Sequence, residues 1–170
     1  MIAYLRQHSV AFLALVVALG SGGAYAASQL SGGEVRGFAV TATNDDGSSS
    51  GTLAKLEGLT LTYRSERASD ARTCTLVAKT KGKGEFHTHG VIEPSEGALE
   101  QFGGGRRFGG PGSEAVVSAN ADAGSPDVTR QADGQLTWAA GGGKHVATAV
   151  FHMSAETKRC AFQGTLTGAG

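Results

Sequence analysis

Leu59-Thr60-Leu61-Thr62-Tyr63-Arg64 alternates strictly between apolar and polar side chains. Successive residues of a strand point to opposite faces, so Leu59, Leu61 and Tyr63 share one face and Thr60, Thr62 and Arg64 the other. That period of two marks a half-buried strand. The strand region extends upstream to Leu53, and the same rhythm recurs on both sides of it. Residues 35–43 (VRGFAVTAT) put Phe38, Val40 and Ala42 on one face. Residues 73–79 (TCTLVAK) put Cys74, Leu76 and Ala78 together. Residues 85–93 (EFHTHGVIE) set Phe86, Thr88 and Ile92 opposite Glu85, His87, His89 and Val91. Further candidates are 115–121, 128–132, 135–139, 145–153 (HVATAVFHM) and 160–167 (CAFQGTLT).

Turn chemistry separates these runs. Asn44-Asp45-Asp46-Gly47 and three serines form a loop, and Lys81-Gly82-Lys83-Gly84 turns the chain. Asp133-Gly134 between two alternating runs predicts a type I′ hairpin, which needs positive φ at both central residues. Gly141-Gly142-Gly143 reads as another turn. Pro94-Ser95 opens a short helix through Phe102, weakened by Gly97. Residues 103–113 (GGGRRFGGPGS) have little to bury and read as a mobile glycine-rich loop. Eight or nine short strands follow, the pattern of an all-β antiparallel β-sandwich or jelly roll.

Composition agrees. The chain has 170 residues, 27 of them glycine, with 6% aromatics. That length suits a single core, and that much glycine would weaken a helix bundle. Fifteen basic residues balance fifteen acidic ones, so the electrostatic footprint of a nucleic-acid binder is missing.

The amino terminus has its own logic. Residues 1–9 carry Arg6, residues 10–19 (VAFLALVVAL) are apolar, and Gly20-Ser21-Gly22-Gly23 break the run. Ala24-Tyr25-Ala26 then meets the A-x-A requirement of a signal peptidase, with cleavage before Ala27. Residues 1–26 therefore read as a signal peptide formed on a short helix. The alternative is an uncleaved anchor, although the run is shorter than the ~20 residues of a membrane span. Residues 27–34 are a flexible lead-in, and 35–170 form one β domain. The leader, LALVVALGSGGAYAAS, resembles those of many uncharacterised exported proteins of high-GC Gram-positive bacteria. The resemblance implies an envelope or extracellular address and no particular activity.

Export changes the reading of Cys74 and Cys160. Outside a reducing cytosol, two cysteines read as one disulfide. Each lies on the apolar face of its strand, Cys74 with Leu76 and Cys160 with Phe162 and Leu166, as a staple between sheets requires. C-x-x-C, the mark of a redox thiol pair, is missing.

The sharpest chemical feature is His87-Thr88-His89 followed by Glu93. Two imidazoles at i and i+2 project side by side, and two His with a carboxylate suit a divalent transition metal. H-x-H-x-x-x-E resembles the first metal motif of the cupins, small jelly rolls. The resemblance implies His87, His89 and Glu93 as ligands, with His145 or His152 completing the set. The plainer account is two histidines on a solvated face.

Other sets are weaker. No G-x-S-x-G elbow orients a serine. Asp45 and Asp46 are turn formers, and Gly143-Lys144 lacks the spacing of a phosphate loop. Arg106-Arg107-Phe108 among glycines is faintly like RNA-binding RGG segments, a partner that export disfavours. Trp138 shares a face with Leu136 and Ala140 and reads as core rather than a sugar platform. Arg64, Arg67, Arg72, Lys79, Lys81 and Lys83 are interrupted by acids and read as a solvated face.

The expectation is an extracellular or envelope β domain, non-enzymatic, with a structural or binding role and no cofactor. Its partner is an envelope component or extracellular ligand, not nucleic acid, and a membrane only if the leader is retained. A metal-dependent cupin-like domain is the alternative, and an exported hydrolase with an unseen site is the third.

Overall fold

The computed structural model describes residues 33–43, 47–68, 71–93, 98–122 and 130–169. The leader with Ala24, Ala26 and Ala27, the lead-in up to residue 32, Asn44 to Asp46 and the Pro94-Ser95 helix start lie outside the described residues.

The described residues form ten strands: β1 (Val35–Ala42), β2 (Ser48–Leu56), β3 (Leu59–Ala68), β4 (Ala71–Thr80), β5 (Gly84–Glu93), β6 (Glu100–Phe108), β7 (Gly112–Asp122), β8 (Arg130–Ala140), β9 (His145–Ala155) and β10 (Cys160–Ala169). They form two antiparallel sheets, ordered β1-β10-β9-β8-β5-β6 and β2-β3-β4-β7. The two inner faces enclose one core, in which Trp138, Phe162, Leu59, Leu61, Leu76, Leu136, Met153 and Leu166 are fully buried. The sequence pattern of an all-β sandwich is the fold observed.

Four local expectations are corrected. The run 53–64 is a hairpin: β2 ends at Leu56, β3 starts at Leu59, and Leu56 pairs with Leu59. Its two-residue loop is Glu57 (φ 49°) and Gly58 (φ 78°), the positive pair that a type I′ turn needs. Asp133-Gly134 is no turn but the middle of β8. Gly134 is there because the ring atoms of Phe102 and Phe151 would each lie 2.7 Å from a Cβ at that position. The glycine-rich segment is not a loop either, since residues 103–108 are the body of β6, paired with β5 from Glu100 to Phe108. Phe102 lies in that strand and not at the end of a helix.

One rule explains many of the strand glycines. On the inner face of the larger sheet, one transverse row reads Phe38, Gly164, Phe151, Gly134, Gly90, Phe102. Each ring lies across a neighbouring glycine, and Phe102 and Phe151 meet at 6.3 Å between centroids. Aromatic burial supplies stabilisation that glycine itself cannot.

Cys74 on β4 and Cys160 on β10 form a disulfide, with Cα atoms 5.7 Å apart and a sequence separation of 86. It joins one sheet to the other, both sulfurs buried. Beside it lies Arg72, which is fully buried and so does not belong to the solvated basic face expected of it. Its Nη1 donates to Ser65 Oγ at 2.7 Å and its Nε to the Thr157 carbonyl at 3.3 Å. Arg72 thus ties β3 and β4 to the β9–β10 turn that presents Cys160. On the surface of that turn, hydrogen bonds from Arg159 to Glu156 and the glutamate's charge hold the guanidinium above its ordinary pKa.

Candidate functional site

His87, His89 and Glu93 all fall on β5, a continuous strand paired on both sides, and all three are exposed. At about 3.3 Å per residue, His89 and Glu93 stand roughly 13 Å apart along it, beyond the reach of one ion. His152 is not beside them. It lies on β9 opposite Asp133, which in turn faces Val91, so two strand spacings separate it from β5. Its Nδ1 pairs with Asp133 Oδ1 at 2.9 Å, in a shallow outer depression of about 390 Å³ bounded by Val150, Gln163 and Thr165. His145 sits at the far end of the sheet and pairs through Nδ1 with Glu57 Oε2 at 2.7 Å. Among the described residues no three His, Cys, Asp or Glu side chains come together as a metal would require. A strand that bent after His89 could have gathered the set; β5 stays extended because both its edges are hydrogen-bonded.

A different site emerges where β5, β6 and β8 end together. The β8–β9 connection is Gly141, Gly142 and Gly143, with φ of 60°, 70° and 89°. Three successive left-handed residues are open to glycine and costly for anything with a Cβ. This turn walls one side of a cleft of about 900 Å³, lined also by Lys83, Glu85, Arg107, Phe108, Ala139 and Ala140.

Core packing fixes the cleft's geometry. Phe108 stacks on Phe86 at 5.4 Å and meets the edge of Trp138 at 6.3 Å. Trp138 is fully buried, and its Nε1 donates to the Glu57 carbonyl at 3.2 Å. Gly84 must lack a side chain, because a Cβ there would strike the Trp138 ring and the Ala139 carbonyl. The indole, the β2–β3 turn and the cleft wall are therefore packed directly against one another. Around the rim, Lys83 and Arg107 outnumber Glu85, and Arg107 Nη2 holds Glu85 Oε2 at 3.3 Å. That ion pair is exposed and worth little in stability, so it can yield to an incoming anion. The arrangement suits an apolar or aromatic group carrying an acidic end.

Sequence reasoning missed this site. Lys83 was part of a solvated basic face, Arg107 and Phe108 of a loop, and Gly141 to Gly143 a plain turn. The signal available was Phe108, a large apolar residue set among glycines and arginines.

Comparison of the chain with protein families, with curated proteins and with solved structures finds no match.

Proposed function

We propose that this is an exported, non-enzymatic binding domain of the cell envelope or extracellular space, and that the cleft beside Phe108 is its ligand seat. The observation that carries the reading is the cleft's construction. An aromatic side chain, glycine backbone and two rim cations are held on strand ends that the core locks in place. Pre-organised walls of this kind lower the ordering cost of binding. The export half rests on the leader pattern and on the intersheet disulfide, a bond that persists in oxidising compartments. The ligand class is a small amphipathic anion, with its apolar body against Phe108 and Ala140 and its charge toward Lys83 and Arg107.

Trp138 provides a built-in reporter, being the chain's single tryptophan and in edge contact with Phe108. Anilinonaphthalene sulfonate, an aromatic anion, is a suitable probe. Saturable binding with quenching of Trp138 emission is expected, weakened about tenfold or more by Lys83→Glu with Arg107→Glu. Binding that ignores the double charge reversal, or no saturable binding, contradicts the assignment.

A further inference from the structure

The free edge of β6 carries a second, independent feature. Among the described residues, β6 is the last strand of the six-stranded sheet and pairs on one side only, with β5. All nine of its residues are exposed or half-buried. Its ladder with β5 has no bulge, and it contains no proline. Those are devices by which proteins ordinarily blunt an open edge. The charges of Glu100, Arg106 and Arg107 are the guard that remains, so this edge is a template for a strand whose own charges answer them.

We propose that this edge pairs with the same edge of a second copy, antiparallel, about a two-fold axis through Gly103. Symmetric pairing of two identical strands must keep inner faces on one side, so the axis passes through a residue. Centred on Gly103, Glu100 lies directly opposite Arg106 of the second copy, and the reverse pair repeats it. Phe102 lies opposite Gly104, and Gln101 opposite Gly105. Centring on Gly104 would set Arg106 against Phe102, and centring on Gly105 would leave Glu100 facing a glycine. Only the Gly103 register of these three places opposite charges directly across the joint.

Sterics favour the same register. Gly103 to Gly105 bring no side chains to the centre. The Phe102 ring leans back over Gly90 and Gly134, away from the open edge. The joint also extends the row of phenylalanines facing glycines that runs across the sheet, adding a Phe102–Gly104 pair on each side. Arg106 is 63% exposed, and its own contact to Glu114 is long, at 3.5 Å, leaving it free to share its charge with Glu100. Two sheets of six would become one continuous sheet of twelve strands. Because the joint is mostly backbone, it falls below the roughly 1,200 Å² of stable complexes, so the dimer is concentration-dependent.

Sedimentation velocity of the purified chain from low to high concentration, about 5 to 500 µM on the scale expected of a small interface, tests this. Reversible growth of a dimer is expected. Glu100→Arg and Arg106→Glu should each suppress it, since like charges then face one another, and the double exchange E100R/R106E should restore it. Circular dichroism and melting temperature confirm that each variant is folded. A monomer at every concentration overturns the proposal. A dimer indifferent to both single reversals, or one lost in the singles and not recovered in the double exchange, overturns it equally.

Discussion

Replacing both Cys74 and Cys160 by alanine removes the one side-chain covalent link between the sheets. The magnitude follows from the loop it closes. With a sequence separation of 86 between the cysteines, the chain-entropy relation gives about 4.6 kcal/mol at 25 °C. A domain of this length has a total stability of about 5–15 kcal/mol, so the disulfide is a third or more of it. At about 2–4 °C per kcal/mol, the melting temperature should fall by roughly 9–18 °C. Both sulfurs are buried, so the cavity left behind works in the same direction. Thermal unfolding can be followed through Trp138, which is 1% exposed in the native state and becomes solvated on unfolding. Reduction of the unmodified protein should reproduce the shift. A double variant melting within about 3 °C of the oxidised protein would refute the staple's energetic role.

Other expectations follow from particular contacts. Gly134→Val should destabilise by about 1–3 kcal/mol in urea, because its side chain meets Phe102 and Phe151; a neutral effect would contradict the packed row. Arg72→Met strands Ser65 Oγ and the Thr157 carbonyl, and should cost about 1–3 kcal/mol by the same assay, with no loss arguing against its role as a tie. His87→Ala with His89→Ala should change stability by no more than about 0.5 kcal/mol, as expected for exposed positions. Dialysis against chelator should likewise leave the melting temperature unchanged; a fall on chelation would return the metal reading to these histidines.

Different kinds of physics were legible to different degrees. Leu59 to Arg64 announced its strand because period-two alternation is local and one face is buried. Cys74 and Cys160 announced their partnership through the apolar residues two positions away. Gly134 misled because the strongest hairpin dipeptide is a local preference, and two rings from other strands overrode it. Glu57-Gly58 makes the true type I′ turn without the Asn or Asp that usually advertises one. The strand at 103–108 was hidden because a glycine's place in a sheet is set by its neighbours' side chains and not its own. The cleft was hidden for a related reason: Lys83, Arg107 and Gly141 to Gly143 meet only once three strands are in register. The histidine pattern, conversely, was visible in sequence but needs a bend that β5 lacks.

The proposed function requires a polypeptide that crosses a bilayer and folds where thiols oxidise. Intact-mass measurement of the protein recovered from outside the producing cell, with and without reductant, tests that directly. The predicted result is a chain beginning at Ala27 whose mass rises by two hydrogens on reduction. Recovery only from the cytosol, beginning at Met1 with both thiols already free, would contradict it.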